Sequence, residues 1–147
     1  MTLLYADTSA LVRAYFADEP DHDLVYSLLL DGSEPVVTSE LARLEFASAT
    51  FAAARAGRLR HPERVIARFD QDCRPTGPIA LLALDSGRVL PEAQRLLSTH
   101  ALHSLDAIHL AVALLDALGL AGGNALIFVS RDAAQCVAAE AEGLTIY

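Results

Sequence analysis

Apolar residues along the chain occur either in short continuous runs or at helical spacing, and the short runs predict strands. The predicted strands are Leu3–Ala6, Pro35–Thr38, Ile79–Leu84, Ala125–Val129 and Leu144–Ile146. The run that begins at Ile79 is continuously apolar, which is typical of a strand buried in a parallel sheet. Because helical stretches separate the strands, the pattern predicts a parallel sheet covered on both faces, a three-layer α/β/α fold.

Start and stop signals predict where the intervening helices lie. They follow Asp7, run from Pro20 to Gly32, from Ser39 to about Ala56, from Pro62 to the Cys73–Pro78 turn, from Pro91 to about Thr99, from Leu105 to Leu118 and from Ser130 to Ala141. Thr8 and Ser9 are expected to satisfy the free N–H groups of the first helix. In the third helix, an apolar stripe is expected to pack on the sheet; its members are Leu41, Leu44, Ala47 and Phe51.

Length and composition bound the class of protein. At 147 residues and 53% hydrophobic content, residues 1–147 suit a single soluble domain with a full core. No apolar run approaches the length needed to cross a bilayer, and the N-terminus lacks the features of a signal peptide, so we expect a cytoplasmic protein with no membrane association. Cys73 and Cys136 have no metal-ligand spacing and are expected to be free thiols.

The charge of the chain excludes some functions and leaves others open. The formal net charge is −8, and all 11 basic residues are arginines. An acidic chain argues against nonspecific coating of nucleic acid, because phosphate affinity needs clustered positive charge. It leaves open a nuclease whose acids bind metal, since divalent ions reverse the local field. The absence of lysine argues against haloacid-dehalogenase-like phosphatases and phospho-accepting receiver domains, which rely on a lysine as well as an aspartate after the first strand.

Two acidic side chains come directly after predicted strands. Asp7 follows the first strand, and Asp132 follows the strand that ends at Val129. Parallel strands share one carboxyl edge, where α/β proteins bind ligands, so the two acids are candidates for one site. Each has an alternative explanation, because aspartate at a helix N-terminus caps free N–H groups and interacts favourably with the helix dipole.

Two further candidates lie on helices. Glu45 stands beside the predicted apolar stripe, where an ionised carboxylate needs a partner. Glu40 points roughly 140° away around the same helix and is expected to be solvated, so Glu45 is favoured. Asp106 and His109 are the only polar residues between Leu105 and Leu115, and their spacing places them on one helical face. His109 also fits a hydrogen-bonded core histidine.

If these four carboxylates converge, they repel one another. Two unit charges about 5 Å apart at an effective dielectric near 20 cost about 3 kcal/mol. Either some of the acids take up protons or cations fill the gap. Carboxylate oxygens without cysteine ligands favour a hard ion such as Mg²⁺ or Mn²⁺.

Four segments carry a resemblance to a known family: YADTSALVRAYF, VVTSELARLEF, LHSLDAIHLAVAL and FVSRDAAQCVAAEAEGLTIY. In this order they cover most of the chain, which resembles PIN-domain ribonucleases, specifically VapC-type toxins of type II toxin–antitoxin systems. The resemblance implies a single PIN domain with strand order 3-2-1-4-5. It also implies an acidic quartet of Asp7, Glu45, Asp106 and Asp132. Asp7 and Asp106 would ligate the metal directly, and Glu45 and Asp132 directly or through water.

The resemblance further implies a Mg²⁺-dependent, or Mn²⁺-dependent, endoribonuclease that hydrolyses RNA with a metal-activated water. Its implied partners are RNA, a cognate antitoxin that occupies the site, and a second copy of the chain in a homodimer. Arg43 and Arg131 are candidate cations beside the acids in sequence. The residues expected to support the acids or contact substrate are Thr8, Ser9, Arg13, His109 and Ser130. The alternative is a noncatalytic PIN-like module that binds protein or RNA.

Overall fold

The computed structural model describes all residues from Met1 to Tyr147 and contains one five-stranded sheet. The strands are β1 (Leu3–Ala6), β2 (Val36–Ser39), β3 (Ile79–Leu82), β4 (Leu126–Val129) and β5 (Thr145–Ile146). Their order is β3-β2-β1-β4-β5, and every neighbouring pair is parallel. The predicted α/β class and the strand order 3-2-1-4-5 are therefore confirmed.

Helices cover both faces of the sheet. They are α1 (Thr8–Tyr15), α2 (His22–Leu29), α3 (Leu41–Arg55), α4 (Pro62–Asp72), α5 (Ser86–Thr99), α6 (Ser104–Val112), α7 (Leu118–Ala121) and α8 (Ala133–Ala141). A π-helical turn over Ala113–Ala117 joins α6 to α7. Because side chains alternate along a strand, Leu3 and Tyr5 of β1 face a core built with α5, α6 and α8, whereas Leu4 and Ala6 face a core built with α1 to α4.

Aspartates cap three of the helices, and for Asp7 and Asp132 capping is the alternative explanation that the sequence offers. Asp7 accepts a hydrogen bond from the backbone N–H of Ala10 at 3.0 Å, so the prediction that Thr8 or Ser9 caps α1 is wrong. Asp132 caps α8, and the helix starts at Ala133, three residues later than predicted. A carboxylate at the N-cap satisfies a free N–H group and also interacts favourably with the helix dipole.

Helix α5 begins five residues before its predicted start. Asp85 is its N-cap and accepts from the N–H of Gly87 at 3.1 Å, whereas Pro91 lies inside the helix. The proline was interpreted as a first-turn residue, the position that proline favours most. Here the aspartate cap sets the start of the helix.

The apolar stripe predicted for α3 faces outward. The buried residues of this helix are Ala42, Phe46, Thr50 and Ala53. Leu44 is 72% exposed and Phe51 is 46% exposed. Phe46 stacks on Phe69 of α4 with ring centroids 4.3 Å apart, which fixes the inward face of the helix. The prediction was wrong because α3 is apolar on several sides, and hydropathy alone does not select among them.

Strand β3 is an edge strand, contrary to the prediction of a fully buried one. It ends at Leu82, and only Ile79 is buried, while Ala80 is exposed. The continuous apolar run therefore does not indicate a strand that is buried on both faces.

The helical stretch Ser104–Ala121 is long and apolar enough to cross a membrane by length and composition, with a mean hydropathy of 1.6. The prediction that no segment reaches this length is therefore wrong. The stretch is 44% buried inside the fold, where residues of α6 and the π turn contribute to the core on one face of the sheet. A core helix of a folded domain passes the same test.

Candidate functional site

The carboxyl ends of β1 and β4 bring Asp7 together with the loop before α8. The two strands pair side by side, with Ala6 opposite Val129, so the residues that follow them are neighbours. Ser130 donates its hydroxyl to Oδ2 of Asp7 at 2.6 Å. The same Ser130 oxygen accepts from the N–H of Asp132 at 3.1 Å. Ser130 thus links the two strand-end acids that the sequence predicted to share an edge.

Asp7 is a buried carboxylate, only 2% exposed, whose two oxygens both have donors. Oδ1 accepts from the Ser9 hydroxyl at 2.7 Å and from the N–H of Ala10, and Oδ2 accepts from Ser130. Burial raises the pKa of Asp7, and these hydrogen bonds oppose the rise by stabilising the charged form. Ser9 also accepts from the N–H of Arg131 at 2.8 Å, so it holds the β4–α8 loop against α1.

Glu45 projects from α3 into a second cluster of hydrogen bonds. Thr8 donates to Oε1 of Glu45 at 2.9 Å, and the same oxygen contacts Nε2 of His109. His109 is buried at 1% exposure, and its Nδ1 lies 2.8 Å from the hydroxyl of Tyr5. Of the two hydroxyls expected beside the acids, Ser9 thus contacts Asp7 and Thr8 contacts Glu45.

His109 connects Tyr5 to Glu45. Burial raises the pKa of Tyr5 well above its usual value, so the phenol keeps its hydrogen. The Tyr5 hydroxyl lies 2.8 Å from Nδ1 of His109, and Nε2 of the same ring contacts Oε1 of Glu45 and lies 3.2 Å from the hydroxyl of Thr8. Tyr5, His109 and Glu45 thus form a continuous line of hydrogen bonds that ends on a carboxylate.

Asp106 lies in the first turn of α6 and is partly buried, with 26% of its side chain exposed. Burial raises its pKa, and the negative charges of Asp132, Asp7 and Glu45 raise it further. The backbone oxygen of Asp106 accepts from the side chain of Gln135, three residues after Asp132, so the first turn of α6 lies at the same edge of the sheet as the strand-end acids.

Gln135 is a site residue that the sequence reasoning missed. It is fully buried on α8, its N–H donates to Oδ1 of Asp132 at 2.8 Å, and its Nε2 donates to the backbone oxygen of Asp106 at 3.0 Å. Gln135 thus connects two of the four acidic positions, through its backbone N–H to the carboxylate of Asp132 and through its side chain to the backbone of Asp106. A signal was available, because an N-cap aspartate followed three residues later by glutamine has the spacing of a capping box.

Tyr5 was also missed, and its sequence signal is weaker. It lies in the apolar run of β1, where a tyrosine is an ordinary core residue. The one signal is that Asp7 comes two positions after Tyr5, because side chains two positions apart point to the same side of a strand. A buried phenol needs a hydrogen-bond partner, and here the partner is His109.

None of the three arginines expected to flank the acids directs its guanidinium at them. Arg13 donates to the backbone oxygen of Pro20 at 2.9 Å and pairs with a glutamate of the α1–α2 loop. Arg43 makes a bidentate pair with Asp70 of α4. Arg131 donates to the backbone oxygens of Ser130 and Tyr147. The predicted positive flank is therefore absent from these positions.

The alternative acid on α3, Glu40, lies outside this cluster. It is exposed and accepts from the N–H of Leu84 at 2.6 Å, which holds the loop after β3. The choice of Glu45 over Glu40 as the acid near the site agrees with this geometry. The apolar stripe beside Glu45, which was expected to pack on the sheet, faces outward.

The donor set fits a hard divalent cation in chemistry. The acids supply only carboxylate oxygens, the ligands that Mg²⁺ and Mn²⁺ prefer, and a cation would relieve the repulsion that raises the pKa of Asp106. The side chains do not form a ready-made cage, since no three His, Cys, Asp or Glu residues are arranged to hold a metal ion. Asp7 and Glu45 are instead turned toward hydrogen-bond donors of the protein.

Comparison with known proteins adds a family. The family model described as PIN domain matches residues 4–142. No curated protein matches the chain.

Proposed function

The chain belongs to the PIN-domain family, whose members are usually nucleases that typically use Mg²⁺, and from this membership we propose that it is a metal-dependent endoribonuclease. The observation that carries the proposal is the set of hydrogen bonds that connects the four acidic positions. Ser130 links Asp7 to Asp132, and Gln135 links Asp132 to the backbone of Asp106. Thr8, next to Asp7 in the chain, contacts Glu45. A site of this composition suits hydrolysis of a phosphodiester bond, because the anionic substrate and the acids repel one another unless a cation joins them.

In this proposal, Asp7 and Asp106 hold Mg²⁺ or Mn²⁺ directly, and Glu45 and Asp132 hold it directly or through water. When bound, such an ion polarises the scissile phosphate and lowers the pKa of a water molecule that attacks it. No covalent nucleophile is needed from the protein.

The other side chains of the site fix the acids in place. Ser9 and Ser130 hold the Asp7 carboxylate from both sides, and Thr8 with His109 fixes one oxygen of Glu45. These contacts set the orientations of Asp7 and Glu45, and a cation at the site would share their oxygens with hydrogen-bond donors of the protein.

The test is cleavage of an end-labelled RNA by the purified protein with Mg²⁺ or Mn²⁺ and with a chelator. Asp106→Asn should lower the metal-dependent rate at least 100-fold, because it removes a charge that the ion requires. Asp116→Asn, ten residues further along the same helical stretch and paired with Arg88, is the matched control. Equal cleavage by wild type and Asp106→Asn would contradict the proposal.

The noncatalytic alternative makes a different prediction for the same protein. If the chain only binds RNA or protein, titration calorimetry with Mg²⁺ and Mn²⁺ should show no heat of binding, and no cleavage should appear with either ion.

We further propose that the protein is the cytoplasmic toxin of a type II toxin–antitoxin pair and forms a homodimer. Support comes from a groove along α3, about 480 Å³ in volume, whose lining includes Glu45, Leu41, Leu44, Ala52 and Leu105. Leu44 and Leu105 are 72% and 45% exposed. An antitoxin could seat apolar side chains here and place a cation beside Glu45.

The partner proposal has its own test. The product of the adjacent reading frame should inhibit RNA cleavage by the purified protein, and Leu44→Glu should weaken that inhibition without changing cleavage itself. Light scattering gives the oligomeric state. A monomer that no neighbouring gene product inhibits would contradict the toxin and dimer assignments while leaving the nuclease proposal standing.

A further inference from the structure

Positive charge is concentrated at one corner of this acidic chain. Residues 55–64, RAGRLRHPER, carry four arginines and one glutamate, a net charge of +3 in a protein whose total is −8. The segment includes the end of α3, the turn after it and the first turn of α4. The rest of the surface is therefore more acidic than the total suggests.

Three of these arginines have no carboxylate partner. Arg55, Arg60 and Arg64 are exposed and make no salt bridge or side-chain hydrogen bond. The fourth, Arg58, pairs with Asp18 and a neighbouring glutamate of the α1–α2 loop, so it anchors the turn and is not available to a ligand. In a protein where most arginines pair with acids, three free guanidinium groups on one segment need an explanation.

Helices α3 and α4 run antiparallel, which brings the three free arginines to one end of the pair. Arg43 near the start of α3 pairs with Asp70 near the end of α4, so the end of α3 lies beside the start of α4. Phe51 stands one turn before Arg55 on the same face of α3 and is 46% exposed. An exposed aromatic ring thus accompanies the free guanidinium groups.

The corner is connected to the acids along α3. Glu45 and Arg55 are ten residues apart on this helix, about 15 Å at the helical rise of 1.5 Å per residue. The groove that begins at Thr8 and Glu45 extends along the helix to Ala52, one turn short of Arg55. An extended single strand spans this distance with a few nucleotides.

We propose that Phe51, Arg55, Arg60 and Arg64 form a binding site for single-stranded RNA, the cationic strand site, which holds the strand about 15 Å from Glu45 along α3. The arginines contact successive phosphates, and a base stacks on the ring of Phe51, the combination by which proteins bind single strands without reading their sequence. The inference rests on the proposed nuclease function for its choice of RNA. It assigns the positive flank to residues other than Arg13, Arg43 and Arg131.

The experiment measures binding of a short fluorescein-labelled oligoadenylate to the full-length protein by fluorescence anisotropy, in chelator so that the strand stays intact. Replacing Arg55, Arg60 and Arg64 together with alanine should lower the slope of log affinity against log salt by about two, because each phosphate contact contributes about 0.7 on a single strand. Phe51→Ala should weaken binding on the order of 10-fold at every salt concentration, with the slope unchanged.

Two controls match these variants. Arg74→Ala removes one exposed arginine that also has no salt bridge, at the opposite end of α4, and should leave the slope unchanged. Leu120→Ala removes a more exposed apolar side chain from α7, away from the groove along α3, and should leave binding unchanged. A triple variant with the wild-type slope would overturn the proposal. Displacement of the RNA by polyglutamate at equal charge would also overturn it, because it would show that the cationic strand site binds acidic proteins.

The outcome also separates this inference from the nuclease proposal. If the wild type binds the strand through the corner but cleaves no RNA with Mg²⁺ or Mn²⁺, the cationic strand site stands and the nuclease proposal fails. If the wild type cleaves RNA and the triple variant binds the strand as tightly as the wild type does, the nuclease proposal stands and the cationic strand site fails.

Discussion

His109 and Glu45 are hydrogen-bonded to each other although 64 positions separate them in the chain, and this contact ties α6 to α3 at the acidic edge of the sheet. The orientation of Glu45 is therefore set by a different helix from its own. Tyr5, on the central strand, extends the contact into the core. A carboxylate at the rim of the site is thus fixed by the most buried part of the fold.

Removing the imidazole should affect both stability and cleavage. We expect His109→Leu to lower the free energy of unfolding by about 1–3 kcal/mol, because the hydroxyl of Tyr5 and one oxygen of Glu45 lose a partner. The metal-dependent cleavage rate should fall about 10- to 100-fold, as for other residues that orient ligands. Tyr5→Phe, which leaves the contact with Glu45 in place, should have a smaller effect on both. Urea unfolding and a metal titration of the cleavage rate measure the two effects, and an unchanged rate in His109→Leu would rule out the positioning role.

The two glutamates near the start of α3 should behave differently. Glu45→Gln removes a charge from the acidic cluster, so we expect metal-dependent cleavage to fall at least 10-fold. Glu40→Gln removes the same charge five residues earlier, where the side chain only holds the N–H of Leu84, and should leave cleavage within about twofold of the wild type. Cleavage assays on both variants at saturating Mg²⁺ decide the matter, and the reverse ranking would show that the wrong acid was chosen.

The acidic cluster should cost stability when no metal is present. Because Asp106 is partly buried and repelled by Asp132, Asp7 and Glu45, we expect Asp106→Asn to raise the thermal unfolding midpoint in chelator. Added metal should reverse the ranking, since an ion at about 100 times its dissociation constant stabilises the wild type by about 2.7 kcal/mol. Thermal scans with and without Mg²⁺ test this. An Asp106→Asn variant that gains as much from Mg²⁺ as the wild type does would place the ion elsewhere.

Gln135 should matter more for cleavage than for stability. Its Nε2 donates to Asp106, but its Oε1 has no partner in the protein. Gln135→Leu removes a made hydrogen bond and an unmade one together, so we expect a change in unfolding free energy within about 1 kcal/mol. Cleavage should fall about 10-fold, because the link between Asp106 and Asp132 is lost. The exposed Gln94, changed to leucine, is the matched control, and a loss of cleavage in that variant as well would remove the special role of Gln135.

A pH-dependent contribution to stability should come from the junction of α5 and α8. Hydrogen bonds from Arg95 and His100 lower the pKa of Glu142. The stabilisation is present above the unfolded-state pKa of about 4.3 and is lost as the pH falls through the lower folded-state value. Glu142→Gln should therefore cost about 1 kcal/mol at neutral pH, and the difference from wild type should shrink in acid. Urea unfolding across this range, with the exposed Glu140→Gln as control, measures it, and a difference that grows in acid would contradict the assignment.

The sheet and the positions of the four acids could be predicted from the sequence for simple reasons. Short apolar runs between helical stretches predict a parallel sheet, and parallel strands end at one edge. That Asp7 and Asp132 are neighbours at this edge followed from the strand order that the resemblance to the PIN-domain family implies. The isolation of Asp106 and His109 on an apolar helix likewise left a polar site as one of few explanations. These inferences depend on periodicity, which the chain displays clearly.

The errors arose where periodicity does not decide. Helix α3 presents Leu44 and Phe51 on one side and Ala42 and Phe46 on another, so only the contact with α4 selects the inward face. Arg13 illustrates a second kind of error. Proximity in sequence to Asp7 gave no information about its guanidinium, whose long side chain reaches the loop after α1 instead.

Asp7 and Asp132 are also helix caps, which matters when the chain is compared with other proteins of this shape. A related protein without catalytic activity would still be expected to keep an aspartate at positions 7 and 132, because these residues cap α1 and α8. Asp106 caps nothing, and its charge is expected to lower stability when no metal is bound, so folding alone gives no reason to retain it. In any further protein of this shape, an acid at position 106 is the better sign that an enzyme remains.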